Sequence, residues 1–140
     1  MNYSVQNLTT VADCNQLLNW ASREKSELEF KKLSDERQTA RFAENSQELD
    51  AILAGVIAEI AATESIIAML PEGPTREDAI DRKTRLEYKK FVLENRRESY
   101  GSVALLEKEM ELARVIKEIE EVEIFISAIE EKRNILQNAA

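Results

Sequence analysis

The chain has 140 residues, a formal net charge of −8 and no histidine, which removes the commonest general base, the usual zinc ligand sets, Ser-His-Asp and Cys-His nucleophile pairs and the Glu-x-x-His ligands of di-iron bundles. Three glycines, two prolines and 6% aromatic residues leave too few turn formers for a β-rich fold. With 33% charged residues set among Ala, Leu, Ile and Glu, the composition is that of long helices, and the acidic balance disfavours nucleic acid and anionic membrane surfaces.

Residues 1–9 are polar apart from Tyr3, Val5 and Leu8, and are expected to form an extended lead-in that packs back on a neighbour. Thr10, with Asp13 three residues on, is a helix start. No proline then appears before Pro71. The early part of this arm carries Cys14, Leu17, Leu18, Ala21, Leu28, Leu33 and Phe42 on a stripe diluted by charge. Cys14 is the only cysteine, so no intrachain disulfide can form. With no basic-then-apolar leader at the start, a reducing cytoplasm is the expected setting.

The second half of the arm differs. Leu49, Leu53, Val56, Ile60, Thr63, Ile67 and Leu70 alternate spacings of four and three, a heptad seam. Ile52, Ile57 and Ile66 lie beside it, and the back is Ala51, Ala54, Gly55, Ala58, Ala61, Ala62, Ser65 and Ala68. A helix apolar nearly all round is buried on more than one side. A membrane span is the competing reading, but Glu59 and Glu64 interrupt the run, each costing about 2.5–3.5 kcal/mol at mid-bilayer. No membrane contact is expected.

The chain turns at Pro71-Glu72-Gly73-Pro74-Thr75. Pro71 cannot continue the helix, Gly73 can take a reversing conformation, and Thr75 has the chemistry of the next N-cap. So short a connection makes the two arms antiparallel neighbours. In the second arm Ala79, Leu86, Leu93 and Tyr100 recur every seven residues, with Ile80, Thr84, Tyr88 and Phe91 as a second ridge. Arg82-Lys83, Lys89-Lys90 and Arg96-Arg97 fall between members of the first ridge. A cleaner seam follows through Leu105, Leu112, Val115, Ile119, Val122, Ile126, Ile129 and Leu136, and the polar 137–140 tail is expected to fray.

The fold expected is one all-α domain, 1–140: a long antiparallel, coiled-coil-like two-helix hairpin. Its helices run from about 10 to 70 and about 75 to 137, with the corner at 71–75 and candidate breaks near Asn45 and Gly101. The alternative is a compact four-helix bundle folded back at those two breaks. Charge favours the hairpin. Facing residue numbers should sum to about 146 about the corner. This sets the acid-only stretch from Phe42 to Thr75 against eight cations between Arg76 and Arg97, and Arg23–Arg41 against the glutamates of 107–123.

No cofactor or metal is expected, and the isolated glycines form no phosphate loop. Enzyme activity is not expected. The basic pairs on the second arm could in principle hold phosphate, but their better use is to neutralise the acidic helix opposite. No motif assigns the chain to a family. The size and helicity are similar to those of small helical export chaperones. The outline also resembles prefoldin subunits, though their corner β-hairpins would not fit at Pro71–Thr75. The expected role is a protein-interaction or structural module that self-associates as a homodimer, or else shields a helical client protein. The expected contacts are Leu53, Val56, Ile57, Ile60 and Ile67 against Leu112, Ile116, Ile119, Val122 and Ile126.

Overall fold

A computed structural model describes residues 1–139. Among them there is no strand. A short 3-10 turn, Val5–Asn7, precedes three helices: α1 (Val11–Met69), α2 (Pro74–Tyr100) and α3 (Ser102–Asn138). The chain divides into two compact units. A terminal unit joins Met1–Arg37 to the chain from Met110 onward, and a corner unit is Gln38–Glu109.

The helix ends follow from local chemistry. Thr10 Oγ1 accepts the Asp13 backbone N–H at 3.1 Å, capping α1 as expected. At its other end the Leu70 N–H is shared between the carbonyls of Ile66 and Ile67, and Pro71 prevents continuation. The cap of α2 departs from expectation. Gly73, at φ 152, is the N-cap and Pro74 the first helical residue, with Thr75 already inside the helix. Proline suits that place because the first helical N–H has no partner to lose. Glycine precedes it because a side chain would be strained at that φ.

α1 passes Asn45–Glu48 without interruption, so the first candidate break is absent. The second is present: the helix expected over about 75–137 is two helices, parted at Gly101. There ψ is −158, the Gly101 N–H closes α2 on the Arg97 carbonyl at 2.7 Å, and the Gly101 carbonyl accepts from Leu105 to open α3. A Cβ at Gly101 would lie 2.3 Å from the Arg97 oxygen, so only glycine fits. At the far end α3 runs through Asn138, within a residue of the expected 137, and the tail expected to fray ends at Ala140, which lies outside the described residues.

In the corner unit α1 and α2 are antiparallel. Lys83 meets Glu64 at 3.3 Å and Arg97 meets Asp50 at 3.3 Å, so rising numbers on one helix face falling numbers on the other. These pairs lie within a residue or two of the register expected from the corner. Leu49, Leu53, Val56 and Ile60 are buried against Leu93, with Leu86 packed alongside. Thr63, also buried on this seam, donates its hydroxyl to the Glu59 carbonyl at 2.8 Å. A methylene-rich side chain buried this way stabilises by about 1.5–3 kcal/mol.

The terminal unit is also an antiparallel pair, α1 to Arg37 with α3 from Met110. Arg133 donates to Asn15 at 3.2 Å, Lys25 meets Glu123 at 3.4 Å, and Cys14, Ala21, Val115, Ile119 and Ile129 are buried. The lead-in folds onto this pair. Tyr3 stacks edge-on to Phe125 at 5.0 Å, Trp20 does the same at 5.9 Å, and the Tyr3 hydroxyl donates to the Glu121 carboxylate.

Two outcomes test these packing statements. Leu93→Ala is expected to destabilise the corner unit by about 2–5 kcal/mol in urea unfolding, since it is the only α2 residue in the buried core; a loss under about 1 kcal/mol would contradict the packing. Hydrogen bonding to Glu121 raises the Tyr3 phenol above its ordinary value. A raised folded-state value means the contact is intact below about pH 10 and is lost as pH rises through it. Alkaline titration should therefore free the lead-in, seen as a change in Trp20 fluorescence that Tyr3→Phe abolishes; an identical titration in the variant would refute the contact.

Candidate interaction surface

The corner unit carries an exposed apolar face on α1. Beyond the seam, α1 presents the positions that would be polar on a helix facing solvent. They are instead Ala51, Ala54, Gly55, Ala58, Ala61, Ala62, Ser65 and Ala68, all exposed. Ile52, Ile57 and Ile66 flank them and stand about half exposed. α1 thus contains an 18-residue stretch long and apolar enough to cross a membrane by length and composition, of which 17% is buried. Nothing lies within 4 Å of where a Gly55 Cβ would be. Two helices bury one stripe each, and this helix has apolar surface left over on both flanks and the back.

Cations and acids are sorted along the same helices. Each basic pair on α2 splits between two directions. Lys83, Lys90 and Arg97 lie toward the seam, where they meet Glu64 and Glu87, Glu94, and Asp50 respectively. Their stems cover the seam edge while the charged ends stay wet. The other members, Arg82, Lys89 and Arg96, face outward and form no ion pair among the described residues. Of the two glutamates inside the apolar stretch, Glu64 takes Lys83 as its ionic partner, and the Glu59 carboxylate has none among the described residues. A shallow groove runs between the helices toward the Gly101 end, lined by Asn45, Glu48, Leu49, Ile52, Arg96 and Tyr100. Phe42 lies 6.1 Å from Tyr100 at that end, with the Lys108 ammonium 6.0 Å from the Phe42 ring.

The ten residues expected at an assembly contact are distributed unevenly. Leu53, Val56 and Ile60 are spent on the corner unit's own core, and Ile67 is half-buried at the end of that seam. Ile57 alone of the first five is exposed. Of the second five, Ile119 is buried in the terminal unit and Leu112, Ile116, Val122 and Ile126 are half-buried there. The two sets fall in different compact units. A heptad seam marks where a helix packs without saying whether the partner is its own chain. The signal for the outer face was already present in the small-residue back and in Ile52 and Ile66.

The described residues contain no group of three or more His, Cys, Asp or Glu side chains able to hold a metal ion. Compared with protein-family models, curated proteins and solved structures, the chain matches none.

Proposed function

We propose that the chain is a non-enzymatic, self-associating protein-interaction module, and that the outward face of α1 in the corner unit makes the contact. One observation carries this reading: the most apolar helical stretch of the chain is only 17% buried within it. Uncovered apolar surface of this extent is a site of association. A second hairpin covers it most simply, giving a four-helix assembly with coiled-coil-like packing and two-fold symmetry. The small side chains of the back favour a helical partner, because they let another backbone come close at interaxial distances of about 8–10 Å.

A bilayer fits less well. α1 is tied to α2 by the Glu64–Lys83 and Asp50–Arg97 pairs, and α2 is too charged to follow it into hydrocarbon. Leaving α2 would strip those ions of their partners and expose the seam. The same face would equally suit a helical client protein, which keeps an adaptor or chaperone role as the second reading.

Light scattering on the size-separated chain decides between these readings. A dimer or larger assembly at micromolar concentration is expected, and Ile66→Asp is expected to reduce it to monomer while helicity is retained. Ile60→Asp, which places a charge in the internal seam, should instead unfold the corner unit. A wild-type chain that stays monomeric at every concentration would sink self-association and leave client binding; partition onto phospholipid vesicles would favour the bilayer over both.

A further inference from the structure

Two outward stripes of the corner unit hold complementary charge that the chain itself does not use. On α1 the stripe is Ile52, Glu59 and Ile66; on α2 it is Arg82, Lys89 and Arg96. Each repeats every seven residues, so each stays on one flank of its helix. Ile52 and Arg96 line the same groove, which places both stripes on the same side of the hairpin. The pairs Glu64–Lys83 and Asp50–Arg97 bracket Glu59 and set it level with the Tyr88–Lys89 region. Among the described residues, neither Glu59 nor any of the three cations has an ionic partner.

We infer that this side of the hairpin receives a second copy about a two-fold axis running along the helices, with Glu59 of each copy pairing with Lys89 of the other. The inference rests on the self-association proposed above and narrows its contact to the flank of α1 that carries Ile52, Glu59 and Ile66, the alanine back lying beside it. Charge selects the axis. Laying α1 on α1 would set Glu59 against a helix that has no cation between Phe42 and Thr75, and laying α2 on α2 would oppose Arg82, Lys89 and Arg96 to one another. A two-fold parallel to the helices avoids both, setting each acidic α1 on a cation-rich α2. It keeps the crossed helices antiparallel and leaves Glu59 at the level of Lys89. Ile52 and Ile66, one heptad either side of Glu59, are then covered by the aliphatic stems of Arg96 and Arg82. Such ion pairs set orientation and partner choice more than affinity.

Sedimentation equilibrium on Glu59→Lys, Lys89→Glu and the double variant tests this geometry. Each single reversal puts like charges together twice per dimer and is expected to raise the dimer Kd by about tenfold or more, while the double variant returns it to within about threefold of wild type. Circular dichroism on each protein separates weakened docking from unfolding. If the wild type dimerises and both single variants dimerise equally well, this docking side is wrong while self-association stands. Failure of the double variant to recover, with its helicity intact, also overturns the pairing. A monomeric wild type removes the premise of both proposals.

Discussion

Two packed helices can hide one stripe on each, and the second half of α1 is apolar well beyond one stripe. The exposed apolar face of the corner unit follows from that mismatch. Leu49, Leu53, Val56 and Ile60 find Leu93 and Leu86 on α2 and are hidden. The alanines and Gly55 on the other faces stay exposed, and Ile52, Ile57 and Ile66 remain about half exposed. Apolar surface left in water this way keeps the unfavourable hydration that burial would remove.

Charge is arranged around the same constraint. α2 supplies cations in adjacent pairs, and a helix sends neighbouring residues about 100° apart. One member of each pair therefore turns to the seam and the other to the outside. Seam-side members are matched within the chain, at Glu64, Glu87, Glu94 and Asp50. Exposed pairs of this kind contribute only about 0.2–1 kcal/mol each, so the main effect of the two that cross to α1, at Glu64 and Asp50, is on register and direction. Among the described residues the outward members have no ionic partner, nor has Glu59. An internal pairing that leaves a complementary remainder on one side is suited to a partner built in the same way.

The terminal unit also holds the start of the chain. Its lead-in, which has no helical pattern, is held by the aromatic ring of Tyr3 on Phe125 and by a hydroxyl–carboxylate hydrogen bond to Glu121. Edge-on ring pairs of this type are worth about 0.5–1.5 kcal/mol beyond simple burial. That suffices to dock a short segment but not to define a fold, which here depends on Ile129, Val115, Ile119, Ala21 and Cys14 between the helices.

Helix, corner and register were legible in the amino-acid order because each depends on near neighbours or on symmetry about one turn. Thr10 caps, Pro71 stops, Gly73 reverses, and a short turn leaves only one way for the seams and charges to meet. Thr75 was misplaced as the cap because Gly73 and Pro74 together satisfy the helix start without it. Asn45 and Gly101 looked alike as breaks, and only the backbone geometry at Gly101, with no room for a Cβ, distinguishes them. Which apolar residues are used inside and which are left outside was decided by tertiary structure alone. Leu53 and Ile57 are equally apolar and four residues apart, yet one is buried and the other exposed, because burial depends on where α2 lies and not on the side chain itself.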